Sequence, residues 1–276
     1  MKVSILGNGI FGSSVSSYLT KIGHSVFVDI VNDSEIIFVC VTSNLVLSSL
    51  LKIKNEIENK KIVICSKGFS DDGRFISEIL KEEFKNDIYF LYGPTVAKEL
   101  EDGIFSGMVL AGGLGKEEIK KEIESENLYI ELSDDIVGVE VSATFKNMMN
   151  IFVGIIEGSE YGQNTNALMF TKAIQEMKNI GLILGAKTET FLGLSCIGEL
   201  YLSSRNRTFG IELGKGRNLE DIIKEINYTP AGVFDIKNAK KMIERSKINA
   251  PIIEFLNKIV FENYPIKDVI KQITKN

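Results

Sequence analysis

Hydrophobic positions along the chain fall into two regimes. Up to residue 133, short β-branched runs alternate with amphipathic stretches. The runs predict strands at Lys2–Leu6, Ser25–Asp29, Glu35–Val41, Lys61–Ser66, Ile88–Tyr92, Met108–Ala111 and Leu128–Glu131. Between them, helical periodicity marks Phe11–Lys21, Leu45–Asn59, Arg74–Phe84 and Lys116–Glu124. Strands alternating with helices at this spacing predict an α/β fold with a parallel sheet covered on both faces. After Ser133 the strand signals stop. Helical patterns then cover Asp134–Gly158, Asn166–Leu184, Thr188–Leu194, Leu219–Ile226, Ile236–Arg245 and Ile252–Val260, and the tail Ile266–Asn276 reads as an amphipathic helix. The chain therefore divides into a strand-and-helix domain at 1–133 and an all-helical domain at 134–276, with Asp134 and Asp135 as negative charges at the start of the first long helix.

That long helix is unusual. In Ile136–Ile156 the only formal charges are Glu140 and Lys146, and apolar residues surround the helical period instead of forming one stripe. Such a helix is buried. A lysine inside it either snorkels outward along its own stem or loses hydration, which favours the neutral amine and suits proton transfer.

At the other end of the chain, the first strand runs into Gly7-Asn8-Gly9-Ile10-Phe11-Gly12, and a helix follows. In a strand–turn–helix setting this is a dinucleotide-binding fingerprint: Gly7 for the tight turn, Gly9 for close approach of a pyrophosphate, Gly12 for helix–strand packing. Free N–H groups at the helix start would receive the phosphates. Asp29 ends the second strand, where a carboxylate grips the adenosine ribose and repels a 2′-phosphate. This predicts NAD(H) in preference to NADP(H), with NADP possible. Only Ile30–Ser34 separate Asp29 from the next strand, and five residues span at most about 17 Å. A parallel crossover normally needs a helix, so one helix and one strand of the first half are missing and the adenine side of the pocket should be bare.

Composition narrows the partners. At 276 residues with net charge −5 and no basic block, a nucleic-acid or anionic-membrane partner is not expected. No apolar run is long enough for a membrane span, and the N-terminus lacks a cleavable signal pattern. The three cysteines are scattered without a Cys-x-x-Cys pair, as expected for reduced thiols in a cytoplasmic protein with neither disulfides nor a metal site. His24, the only histidine, reads as structural, and the run GKEEIKKEIESE reads as a solvated helix face.

Several motifs taken together resemble the NAD(P)-dependent glycerol-3-phosphate dehydrogenases. They are GNGIFG at the start, SKGF at Ser66–Phe69, GPTVAKEL at Gly93–Leu100, the block Glu140–Leu200 with Lys146-Asn147, and SRNRTFG at Ser204–Gly210. Each is weak alone; their order across both domains is specific. The resemblance implies a Rossmann-type domain followed by a helical domain of the 6-phosphogluconate-dehydrogenase-like kind. It also implies a small phosphorylated three-carbon substrate, hydride transfer with NAD(P)H, and a homodimer. It assigns Lys146 as the catalytic proton donor, Lys67 as polariser of the substrate carbonyl, and Glu199 as the carboxylate partner, standing where the family has an aspartate. Asn147, Ser204, Arg205 and Asn206 would bind the substrate phosphate, a fork of fixed donors being suited to a dianion. Gly93 and Thr95 would touch the substrate. Thr42, Lys67, Ala97 and Arg205 would join the Gly7–Gly12 turn at the cofactor.

Three departures carry expectations of their own. The missing segment after Asp29 predicts low dinucleotide affinity. The five residues Leu200–Ser204 form a shorter loop than the family's and predict a more open phosphate pocket. Pro230-Ala231-Gly232 replaces a Val-Glu-Gly turn and removes a cofactor contact. Two other activities fit the same pattern: a related dehydrogenase acting on another small hydroxy or keto acid, and a non-catalytic nucleotide-binding regulator.

Overall fold

The computed structural model describes residues 1–31, 33–202, 205–262 and 264–274. Among the described residues, seven strands form one sheet in the order β2-β1-β3-β4-β5-β6-β7. These are β1 (Lys2–Leu6), β2 (Ser25–Val28), β3 (Ile36–Val39), β4 (Lys61–Ile64), β5 (Ile88–Tyr92), β6 (Ser106–Ala111) and β7 (Leu128–Ser133). Helices α1 (Ile10–Lys21), α2 (Val46–Lys52), α3 (Ile76–Glu83), α4 (Ala97–Asp102) and α5 (Lys116–Ile123) connect them.

The first five strands are parallel, but β5 and β6 are antiparallel. The fully parallel sheet expected from the pattern is corrected here. The link between β5 and β6 contains only the six-residue α4, which is too short to return the chain to the far end of β5. The chain re-enters from the same end, and Tyr92 pairs with Val109.

The shortened first half is present as expected. β2 and β3 flank β1 on opposite sides, and among the described residues no helix lies between them. In its place the connection is pinned on the buried Ser4, whose Oγ donates to the Ile30 carbonyl at 2.8 Å and lies 2.6 Å from Ser34 Oγ. The predicted helix Leu45–Asn59 is also corrected. It ends at Lys52, because beyond Leu50 charged and amide residues predominate, and with Ile57 alone fully buried and Ile53 half-buried too little apolar surface remains to anchor further turns.

The helical half comprises α6 (Ile136–Gly158), α7 (Gln163–Ile183), α8 (Glu199–Tyr201), α9 (Arg205–Gly214), α10 (Leu219–Ile226), α11 (Ala231–Ser246), α12 (Pro251–Glu262) and α13 (Val269–Ile273). α6 is its axis and is buried along nearly its whole length, as its composition requires. Asp135 caps it: the carboxylate accepts from Gly138 N at 2.9 Å and also from Lys187 N at 2.8 Å. Asp134 instead pairs with Lys116 at 2.5 Å. The tail forms a short 3-10 turn and α13.

Candidate active site

Lys67, Gly93, Lys146 and Glu199 come together from four separate segments. Lys67 follows β4 and Gly93 follows β5, so both stand at the carboxyl ends of parallel strands, where open α/β sheets place their ligands. Lys146 projects from the middle of α6 with its side chain 14% exposed. Glu199, 1% exposed, opens the one-turn α8 directly after a π-helical turn at Leu194–Gly198. Such turns are rare and cluster at functional sites. Glu199 and Leu200 are thus held in helical backbone.

One carboxylate serves both lysines. Glu199 Oε1 accepts from Lys67 Nζ and from the Gly93 N–H (3.1 Å for the latter), while Oε2 accepts from Lys146 Nζ. Burial pushes the Glu199 carboxyl up, but the two ammonium groups together outweigh it and hold it below its ordinary range. Burial lowers Lys67, the Glu199 charge opposes that, and the Lys146 charge adds to the lowering; the net direction is down. Lys67 Nζ also lies 3.5 Å from the Gly93 carbonyl oxygen. The snorkelling reading of Lys146 fails, since its ammonium turns inward to a buried partner.

A second group forms around the next residue of α6, Asn147. Asn206 Nδ2 donates to Asn147 Oδ1 at 3.1 Å, and Asn206 Oδ1 accepts from the Gly232 N–H at 3.0 Å. Gly232 belongs to the Pro230-Ala231-Gly232 turn that starts α11, so this turn supports the asparagine pair. Arg205 is exposed at the start of α9, its guanidinium 5.3 Å from the Tyr228 ring centroid. Ser204 lies outside the described residues.

The Gly7–Gly12 turn fits a dinucleotide. Gly7 has φ +100°, and a Cβ there would stand 2.8 Å from Val41 N. A Cβ on Gly12 would stand 1.9 Å from the Gly7 carbonyl oxygen, so helix and strand pack too closely for any side chain. At Gly9 a Cβ would meet nothing within 4 Å, which leaves the backbone open to a large group. Gly9 caps α1 without a side-chain bond, and no acid occupies the first turn. Asn8 and Ile10 are exposed and Phe11 half-buried; Asn8 Oδ1 accepts from Ser13 Oγ at 2.8 Å. Asp29, exposed with φ +54°, turns its Oδ1 onto the Gly7 N–H at 2.7 Å. Thr42 precedes the 3-10 turn after β3, Thr95 Oγ1 reaches the Gly107 carbonyl at 3.4 Å, and Ala97 begins α4.

Sequence reasoning missed Asp235 and Tyr228. Asp235 had a signal: it lies on the apolar stripe of α11 beside Gly232, Ile236 and Ala239, where a lone carboxylate is costly. Tyr228 carried none.

A Rossmann-type sheet with a glycine-rich first turn, facing a helical half that supplies a half-buried lysine paired to a buried carboxylate, defines a two-domain nucleotide-dependent dehydrogenase. Residues 27–116 match the N-terminal part, and residues 135–271 the C-terminal part, of the NAD-dependent glycerol-3-phosphate dehydrogenases, and the chain belongs to that family. It is 30% identical over 322 aligned positions to the glycerol-3-phosphate dehydrogenase [NAD(P)+] of Thermoanaerobacter sp. strain X514, covering 100% of this chain and 98% of that one. The corresponding protein of Fusobacterium nucleatum is 26% identical, with 99% and 96% covered. In fold, the glycerol-3-phosphate dehydrogenase of Coxiella burnetii superposes with a TM-score of 0.91 at 20% identity over 100% of this chain and 99% of that one. The Saccharomyces cerevisiae enzyme gives 0.88 at 17% identity, with 99% of each chain covered.

Proposed function

We infer that this chain is an NAD(P)-dependent glycerol-3-phosphate dehydrogenase, interconverting dihydroxyacetone phosphate and glycerol 3-phosphate. The carrying observation is Glu199 bridging Lys67 and Lys146 inside a family member that retains the asparagine pair. A bound dinucleotide supplies the hydride to the carbonyl carbon of the substrate. As that carbon is reduced, Lys146 gives its proton to the forming alkoxide. Lys67 polarises the same carbonyl oxygen, and Glu199 holds both ammonium groups at fixed positions and balances their charge. Arg205, Asn206 and Asn147 hold the phosphate, with Gly93 and Thr95 lining the substrate.

Gly7, Asn8, Gly9, Ile10, Phe11 and Gly12 receive the pyrophosphate, and Asp29, Thr42, Lys67, Ala97 and Arg205 complete the dinucleotide site. In this reading residues 1–133 form the dinucleotide domain and 134–276 the catalytic one. The carboxylate of Asp29 supports NADH over NADPH. We also propose a homodimer, supported by the exposed Leu168, Leu182 and Ile183 on α7, and a cytoplasmic location, supported by the free thiols Cys40, Cys65 and Cys196.

The reaction is tested by following NADH absorbance with dihydroxyacetone phosphate for wild type and Lys146→Ala. Wild-type turnover with a loss of about 10²–10⁴-fold in the variant is expected. Absence of wild-type turnover with this substrate, or turnover only with keto acids, would overturn the assignment.

A further inference from the structure

Behind the asparagine pair lies a carboxylate that no step above uses. Asp235 of α11 is 5% exposed. Its Oδ2 accepts from Asn147 Nδ2 at 3.5 Å, and it also accepts from the Phe69 backbone N–H. Its Oδ1 lies 3.0 Å from the point a Cβ on Gly68 would occupy. One carboxyl group therefore joins the loop that bears Lys67, the middle of α6 and the start of α11.

The direction of the amide chain depends on this group. A carboxylate only accepts, so Asn147 must turn its Nδ2 toward Asp235 and its Oδ1 toward Asn206. Asn206 must then present Nδ2 to Asn147 and Oδ1 to the Gly232 N–H, as observed. Reversing either amide would set donor against donor at Gly232 or acceptor against acceptor at Asp235. Each amide nitrogen keeps one further hydrogen for a ligand.

We propose that Asp235 is a positioning residue that fixes the orientation of the Asn147 and Asn206 amides and, through its own charge, sets the affinity of their pocket for a phosphate dianion. This rests on the reading above that the two asparagines and Arg205 hold the substrate phosphate. Protonated, the carboxyl still accepts through its carbonyl oxygen and offers no repulsion. Ionised, it holds Asn147 more firmly but opposes a second anion. Burial pushes this carboxyl up to about 7, against the bonds from Asn147 and Phe69 that pull it down, so its charge changes near neutrality.

On the elements around it the charged groups are Lys67 on the loop after β4, Lys146 on α6 and Arg205 on α9, together with Glu140, Glu157, Arg207 and Glu212. These last four are engaged elsewhere: Glu140 by Ser77, Glu157 by Arg207, and Glu212 by Lys215 and Arg217. The two lysines are paired with Glu199, and Arg205 lies over Tyr228. On α11 itself, Lys237 lies over the Phe261 ring, and Lys241 bonds the Asp71 carbonyl and Asn238 Oδ1. The 3-10 turn at Ser43–Leu45 contributes the uncharged Ser43.

The test uses wild type, D235N and D235A in two series from about pH 6 to 8.5, a range that brackets a carboxyl raised to neutrality. One series measures KM for dihydroxyacetone phosphate with NADH, and the other measures glycerol 3-phosphate affinity by calorimetry. D235N keeps the shape and one acceptor oxygen but cannot ionise. Titration of the ligand's own phosphate affects all three proteins alike, so the ratio between proteins is what is read. Across the range, KM and Kd of wild type should rise about tenfold more than those of D235N, from a charge facing a charge in a half-buried site. D235A should raise KM about tenfold at every pH, with the larger share of the change in KM and not in kcat, because buried donors lose their acceptor.

Parallel profiles for wild type and D235N in both series would overturn the proposal, and so would a wild type that binds no glycerol 3-phosphate. If wild type binds the ligand without turning over dihydroxyacetone phosphate, the enzyme assignment falls and the calorimetric ratio still decides the role of Asp235. Should D235A fail to fold, the D235N profile decides alone.

Discussion

Gly210 of α9 lies so close to Ile151 of α6 that a Cβ on it would stand 2.2 Å from the Ile151 carbonyl oxygen. The same holds along the seam: Gly154 against the Arg207 carbonyl at 2.2 Å, Gly158 against Ile211 at 2.1 Å and Gly214 against Ile155 at 2.3 Å. The two helices run side by side in the same direction, backbone on backbone. That contact decides where the first turn of α9 falls, and hence puts Asn206 within 3.1 Å of Asn147. The Gly210→Ala variant should therefore lose more than about 2 kcal/mol of stability, since backbone and not a flexible side chain must yield. It should also raise KM for dihydroxyacetone phosphate, because Arg205 and Asn206 move with the helix. Thermal unfolding and steady-state kinetics check this; an unchanged Tm together with an unchanged KM would refute the seam as the device that sets the pocket.

The Glu199 carboxylate reaches three donors from one backbone position, the ammonium groups of Lys67 and Lys146 and the Gly93 N–H. An aspartate is one methylene shorter and cannot keep all three without moving the π-helical turn beneath it. Glu199→Asp should lower kcat about tenfold by misplacing a buried charge and the proton donor it holds. A rise in activity on this change would show that the longer carboxylate is merely tolerated.

The glycine turn and the isolated Lys146 were legible in the sequence because each violates an expectation for ordinary helices and loops. So was the missing helix after Asp29, since no helix fits into Ile30–Ser34. The inverted β6 was not legible: a short apolar run reads the same in either direction, and only the length of α4 hints at it. α9 was hidden because Gly210 and Gly214 lower helix propensity; their cost is offset by close packing on α6, which involves residues distant in the chain. Asp235 was overlooked because its burial depends on three segments meeting, although its place on the apolar stripe of α11 was visible.

Asp29 binds the Gly7 N–H with one oxygen at 2.7 Å; in the dinucleotide site proposed above, its other oxygen would take a ribose hydroxyl. With a pinned strap replacing the usual helix, few other groups of this chain can meet the adenosine. Asp29→Ala should weaken NADH binding about tenfold and narrow its advantage over NADPH, since both a hydrogen bond to charge and a repulsion are removed. Fluorescence titration of both dinucleotides measures it. Wild type binding NADPH more tightly than NADH would contradict the role given to this carboxylate.

Three buried acids make stability depend on pH in a direction opposite to that of exposed, ion-paired carboxylates. Glu140 accepts from Ser77 N at 3.0 Å and from Ser77 Oγ, at the start of α3, and Glu176 accepts from Ile252 N at 2.8 Å and Ile253 N at 3.0 Å, at the start of α12. Burial pushes both, and Asp235, up to about 7 despite these bonds. The ordinary values are 4.5 for the two glutamates and 3.8 for the aspartate, so between there and 7 the folded chain holds protons that the unfolded chain releases. The stabilisation from these groups is complete below the unfolded values and is lost as pH rises through 7. Tm should accordingly fall between about pH 4.5 and 7 and level off above, and Glu176→Gln, which cannot ionise, should flatten part of that slope. A Tm that rises over this window, or a Glu176→Gln slope equal to that of wild type, would show that the carboxyl at the start of α12 is ionised in the fold throughout.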